Sequence, residues 1–309
     1  MRPSLISDST APEQILFSAY DDNSGVNLFR STGSDKVERL ADHLPCTFYR
    51  ELADISHDGR LLACLKGGLD ASRQSISIIA LNIWPVREIT RIILPEAANS
   101  VSWSPDRRTL AVATSLNHRA GAVHLYAIDT AQTTFTLEEV LVFPSPVLSR
   151  HTGDDPSIDG IAWSPDGRYL ALHVSGGAMT DYQTLLALSE LGASDTTVDL
   201  PIPSGALTAP AVTITHLKDL VTPTRQRLLI WAPTSDALLV SLNEATLARL
   251  DVTTGKLTTV LQLPDLPADA RGEITILAPF PSHDRLVFVY RGSWNADPRE
   301  RVYVYTPTS

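Results

Sequence analysis

The sequence predicts an all-β chain that reuses one small antiparallel sheet, and three observations carry that prediction. The first is a recurring phrase. Ile161-Ala-Trp163-Ser164-Pro165-Asp166-Gly167-Arg168-Tyr169-Leu170-Ala171 returns as Val101-Ser-Trp103-Ser104-Pro105-Asp106-Arg107-Arg108-Thr109-Leu110-Ala111. Weaker copies read Ile55-Ser56-His57-Asp58-Gly59-Arg60-Leu61, Trp231-Ala232-Pro233, Ser282-His283-Asp284-Arg285-Leu286 and Ile6-Ser7-Asp8. The second is spacing: anchored on Ser7, Ser56, Ser104, Ser164, Ala232 and Ser282, successive copies lie 49, 48, 60, 68 and 50 residues apart. Periods of that size mark repeat architectures. The third is the run length between copies, short and β-rich with turn residues between, while helical periodicity is weak throughout.

Within one period the elements follow a fixed order. Residues 97–104 form an apolar strand, Pro105–Arg108 turn it, Leu110–Ser115 return it, and Ala122–Asp129 and Thr134–Phe143 supply a third and a fourth strand. The first unit parses through Leu16–Tyr20, Val26–Arg30 and Val37–Ala41, the fifth through Ala237–Leu242, Thr246–Asp251 and Leu257–Leu263. Such a meander repeated about an axis is a six-bladed β-propeller of four-stranded antiparallel blades, at about 3–45, 46–95, 96–143, 157–200, 226–264 and 272–307, in one domain. Only 27 residues follow Ser282, enough for Leu286–Arg291 and Val302–Thr306. The last blade is therefore three-stranded or closed by the N-terminal strand. The spacing of Ser7 favours keeping that strand in the first blade. An open last edge at Arg301–Tyr305 would invite a partner strand.

The turn phrase has a local cause. Pro presets φ, Asp accepts bonds from amides two residues on, and Gly takes a positive φ. Trp103, Trp163 and Trp231 are expected as wedges between neighbouring sheets rather than as stacking platforms for a ligand. On these residues the chain resembles the WD40-like, or PD40, repeat of TolB-type propellers, and more distantly the propellers of prolyl-oligopeptidase-like peptidases. The resemblance covers nearly the whole length and implies partner binding more than catalysis. It departs where His57 and His283 replace the proline, and where Ala232-Pro-Thr-Ser-Asp236 displaces the turn carboxylate. The Gly-His and Trp-Asp dipeptides of true WD40 repeats are absent.

Bulk properties exclude some functions. With 43% hydrophobic and 19% charged residues, the composition is that of a folded protein. A net charge of -10, with 21 Arg and four Lys scattered along the chain, argues against nucleic-acid binding and leaves a neutral or basic protein as the expected partner. No apolar stretch reaches the length of a membrane span or a signal-peptide core. Cys46 and Cys64 are expected to stay reduced, because a hairpin turning at residues 57–59 sets Cys64 opposite residue 52 or 53. Reduced cysteines fit the cytoplasm, with the periplasm or the exterior as the setting if a signal peptide was removed.

Candidate chemistry gathers in two places. The lengthened periods flank the fourth blade, in connections carrying Arg150, His151, Asp154 and Asp155, and His216, Lys218 and Asp219. Long loops on a rigid scaffold are the usual seat of binding residues. Five residues before each anchor stand Glu51, Asn99, Asp159, Arg227 and Leu277, expected to ring the mouth of the axial channel. Glu51 and Asp159 are weak candidates for a hard cation such as calcium, which needs more oxygens than these supply. The eight histidines form no zinc spacing, and no nucleophile elbow, P-loop or dinucleotide fingerprint occurs. Ser149, His151 and Asp154 crowd one loop too closely for a hydrolytic triad. No catalytic residue and no cofactor is therefore assigned. The expected function is a non-catalytic protein-binding propeller or scaffold. The alternatives are a channel-centred metal-dependent hydrolase of a small ester, lactone or sugar, a small-ligand binder, or the regulatory propeller of a larger peptidase assembly.

Overall fold

The computed structural model describes residues 2–6, 14–20, 26–31, 37–44, 46, 53–56, 58–66, 74–94, 96–116, 120–129, 134–144, 157–176, 183–191, 212–214, 217–220, 230–232, 234–243, 246–262, 271–280, 285–294 and 297–305. Every regular element among them is a strand. Two compact units divide the chain, one of residues 1–44 with 222–309 and one of residues 45–221.

The first sheet, in the unit that holds both chain ends, runs β1 (Arg2–Ile6), β2 (Gln14–Tyr20), β3 (Val26–Ser31) and β4 (Val37–Leu44) in sequential antiparallel order. β1 pairs with β2 from Arg2 opposite Ser18 to Ile6 opposite Gln14, so the N-terminal strand belongs to the first sheet, as the spacing of Ser7 favoured.

In the central unit, β5 (Ala53–Ile55), β6 (Leu61–Lys66), β7 (Ser75–Ala80) and β8 (Arg87–Ile93) form the second sheet. β9 (Ala98–Trp103), β10 (Thr109–Leu116), β11 (Ala120–Asp129) and β12 (Thr134–Pro144) form the third, and β13 (Ser157–Trp163), β14 (Tyr169–Gly176) and β15 (Gln183–Glu190) start the fourth. Two short strands complete this unit in a way the repeat does not foretell. β16 (Val212–Ile214) adds a fifth strand, parallel to β12, and β17 (Leu217–Leu220) closes the fourth sheet against β15.

The remaining sheets return to the unit holding the ends. β18 (Ile230–Trp231), β19 (Ala237–Asn243), β20 (Thr246–Asp251) and β21 (Leu257–Gln262) make a four-stranded sheet. β22 (Arg271–Phe280), β23 (Arg285–Trp294) and β24 (Asp297–Tyr305) make one of three strands.

Strand periodicity places the core of the central unit. Leu110, Val112 and Tyr126 of the third sheet pack with Ala63, Leu65, Ile76 and Ile78 of the second. Ala111, Ala113, Val123 and Leu125, pointing the other way, pack with Ile158, Ile161, Leu170 and Leu172 of the fourth. Alternate side chains leave opposite faces of a strand, so the third sheet is buried on both sides and none of the three could bury its apolar surface alone.

One expectation is overturned here. Cys46 and Cys64 are joined in a disulfide, with Cα atoms 5.6 Å apart. The register argument was sound for the hairpin, since Cys64 does stand opposite Ala53. It failed because Cys46 precedes β5 and is not held to the strand's alignment, and the chain brings it back against β6.

Candidate functional site

The anchor turns show how the repeated residues are used. Ser104 Oγ donates to Asp106 Oδ1 at 2.6 Å and accepts from Thr109 N at 2.9 Å, while Asp106 Oδ1 also accepts from Arg108 N at 3.0 Å. Ser56 with Asp58, and Ser164 with Asp166, repeat every one of these bonds. Burial disfavours the charge on Asp106 and Asp166. The serine hydroxyl, the arginine amide and the arginine charge outweigh it and hold both carboxyls below their ordinary range. The fourth turn position is left-handed in the four described copies, with φ of 69° at Gly59, 65° at Arg107, 73° at Gly167 and 59° at Ser235. In the fifth copy Thr234 donates to the displaced Asp236, which also pairs with Arg249. These carboxylates shape turns.

Trp103 and Trp163 join neighbouring sheets. Trp103 donates its indole N–H to the Asp54 carbonyl and its backbone N–H to Asp54 Oδ2, at 3.2 and 2.7 Å. Trp163 makes the same pair with the Ser102 carbonyl and hydroxyl, at 3.2 and 3.4 Å. Trp103 and Trp163 thus occupy equivalent positions. Asp54 takes the slot that Ser102 fills one repeat later. Burial pushes its carboxyl up to about 6, against the bonds from Trp103, Ile55 and Ser102 that favour the charged form. Sequence reading missed this carboxylate, although an acid two residues before the anchor, where the next copies hold Ser102 and Ala162, was a usable signal.

Of the residues expected around a channel mouth, the structure brings two together. Asn99 of β9 donates its amide to Ser157 Oγ at 3.2 Å, and Ser157 in turn donates to Asp159 Oδ1 at 3.0 Å. A hydroxyl therefore links the two side chains across adjacent sheets, and orients the carboxylate. Ser157 was not anticipated; it lies two residues before Asp159, where the pairing of β13 with β14 shifts register between Ile158 and Gly160. Nearby in sequence, burial raises the Glu96 carboxyl, whose Oε2 has no hydrogen-bond partner among the described residues. Glu51 and Arg227 lie outside the described residues, and Leu277 falls in β22 of the other unit. Among the described residues no group of three or more His, Cys, Asp and Glu side chains is arranged to hold a metal.

The long connections fare differently. Arg150, His151, Asp154, Asp155 and His216 lie outside the described residues. Lys218 and Asp219, expected in a loop, stand in β17 opposite Leu188 and Ala187. The repeat pattern ended the fourth unit near residue 200 and left its outer strand unassigned. The chain supplies that strand as β17, after the 26 residues 191–216 that follow β15.

His124 of β11 is fully buried, with Nε2 3.1 Å from Thr114 Oγ1. Burial lowers its pKa to about 4, so the ring is neutral near pH 7. It belongs to the core of the third sheet and not to an exposed site.

No protein-family model matches the sequence, and no curated protein matches it. Solved structures resemble it in fold. TolB from Acinetobacter baumannii superposes with a TM-score of 0.50 at 12% identity, over 82% of this chain and 52% of that one. Prolyl oligopeptidase B from Galerina marginata gives 0.54 at 12% identity, over 99% and 42%. A putative 6-phosphogluconolactonase from Bacteroides uniformis gives 0.51 at 14% identity, over 96% and 82%. The chain spans about half the length of TolB and less than half of the peptidase. At these identities the likeness speaks for architecture alone. All-β sheets stitched by serine–aspartate turns, with TolB among the structures they match, give the chain the fold of a TolB-type β-propeller.

Proposed function

We propose that this chain is a non-catalytic, protein-binding propeller whose contact surface is carried by the connections on either side of the fourth sheet. The observation behind this reading is where the repeated polar chemistry goes. Asp58, Asp106 and Asp166 are engaged by their own turns, and the Trp103 and Trp163 indoles by the neighbouring sheet. The fold accounts for groups so engaged, and recognition then falls to the segments that depart from the repeat. An overall charge of -10 favours a basic or neutral partner. The Cys46–Cys64 bond removes the argument for a reducing cytoplasm and supports an oxidising compartment such as the periplasm.

The test is affinity capture from the native source followed by mass spectrometry. It compares the parent chain with a variant in which Arg150, His151, Asp154 and Asp155 are alanine, and with Asp106→Asn as the turn control. Loss of a co-purifying protein in the first variant alone is expected. Equal capture by all three would remove the reading.

A second reading has one observation in its favour, the Asn99–Ser157–Asp159 hydrogen-bonded chain. An oriented carboxylate beside an amide and a hydroxyl is a start towards a calcium or small polar ligand site. Thermal unfolding with calcium and with EDTA separates the two ideas. A midpoint raised by calcium in the parent chain but not in Asp159→Asn supports the ligand site, and identical midpoints exclude calcium there.

A further inference from the structure

One segment of the central unit closes two sheets at once. β16 lies parallel to β12, with Val212, Thr213 and Ile214 opposite Val140, Leu141 and Val142. After residues 215 and 216 the same segment becomes β17, pairing Leu217 to Leu220 with Ser189 to Leu186. The strands it covers share a composition. β12 ends in Val140-Leu141-Val142-Phe143 and β15 holds Leu185-Leu186-Ala187-Leu188, uncharged stretches of the kind that pair with any strand offered to them. Val140 and Leu141 are 1% and 2% exposed. By contrast β8, the outermost strand of the second sheet, carries Arg87, Glu88 and Arg91, and no fifth strand pairs with it among the described residues. Within the central unit, the charged edge of β8 stays uncovered among the described residues, whereas the uncharged stretches of β12 and β15 each have a strand laid over them. In register, β17 has Lys218 and Asp219 where β15 has Leu188 and Ala187.

We infer that residues 212–220 are an intramolecular guard, and that the β12 edge beneath it is a latent site for a second copy of this chain. The edge is self-complementary. Paired antiparallel about Leu141, it sets Val140 opposite Val142 and Glu139 opposite Phe143, with no like charges facing each other. A two-fold dimer built that way is closed and uses the same strand from both copies. The guard suits removal because it holds β12 through three parallel residue pairs only, a pairing slightly weaker per residue than antiparallel.

The experiment uses the full chain with Thr213→Pro, which removes the backbone N–H and fixes φ at the centre of the three-residue β16, and Thr213→Ala, which does neither. Light scattering after size exclusion, over a range of concentrations, reads the mass, and far-UV circular dichroism reads the fold. The parent and Thr213→Ala are expected to remain monomers. Thr213→Pro is expected to keep the β spectrum and to reach a roughly doubled mass as concentration rises. A synthetic peptide of residues 210–216 added in excess should return it to the monomer by refilling the edge. A Thr213→Pro chain that stays monomeric, that unfolds, or whose dimer ignores the peptide overturns the inference, since the segment is then an ordinary fold element or the contact lies elsewhere.

Discussion

Asp54 and His124 pull the stability of the central unit in opposite directions with pH. Asp54 is raised from 3.8 to about 6, so its contribution is complete below pH 3.8 and lost as pH rises through 6. His124 is lowered from 6.5 to about 4, so its contribution is complete above pH 6.5 and lost as pH falls through 4. Each displacement is worth about 3 kcal/mol, and the two slopes nearly cancel between them. Asp54→Asn should unmask the histidine, with the urea midpoint dropping on acidification from pH 6.5 to 4. His124→Gln should do the reverse, losing stability as pH rises over that window. Flat midpoints in both variants would mean that neither group is desolvated as described. The left-handed turn position gives a second residue-scale test. Gly167 has φ of 73°, and an added Cβ would meet Pro105 Cγ at an ordinary 3.7 Å. Gly167→Ala should therefore cost about 1 kcal/mol from backbone conformation and not from a clash, seen as a lower thermal midpoint. Arg107→Gly should be close to neutral, because relief of a similar strain is offset by glycine's entropy and by loss of the exposed pair with Asp58.

At the scale of the element, the serine–aspartate turn fixes where one strand ends and the next begins. Ser164 is fully buried and serves as donor to Asp166 and acceptor for Tyr169 N. Ser164→Ala leaves that amide and that carboxylate each short of a bond, and should lower stability by about 1–3 kcal/mol in denaturant titration. A change under half of that would show the turn to be held by its backbone bonds alone. Most of this element was legible in the chain: the phrase named its turn, its left-handed position and the strands on either side. The Asp54 clamp was not legible, because it joins residues 49 apart in sequence and depends on which sheet stacks on which. β16 and β17 escaped for a related reason. Three or four residues carry too little periodicity to be read locally, and their identity as strands comes from the edges they meet. Asn99 and Asp159 were found because both sit at one offset from an anchor. Ser157 was overlooked because a serine signals nothing until its neighbours are known.

For the molecule as a whole, the disulfide adds a covalent constraint to the packed sheets. It closes a loop across a sequence separation of 18 residues within the central unit. Chain-entropy arguments give such a loop about 3 kcal/mol. Reduction with dithiothreitol, or the Cys46→Ser and Cys64→Ser pair, should lower the thermal midpoint of the oxidised protein. No difference between oxidised and reduced samples would place the stability of this unit entirely in its stacked sheets. The cysteine pairing was beyond the reach of strand register, which speaks for residues inside the hairpin and not for a segment that precedes it.

The third sheet, with Val112 facing the second and Ala113 the fourth, imposes a rule on how such a chain can change length. A strand with both sides occupied has no spare phase. Removing a single residue from β10 would hand every side chain beyond the gap to the wrong neighbour, large groups meeting the slots of small ones. Indels can accumulate only where the parity of a strand is not at stake, and in this chain the two stretched periods take up their excess between strands.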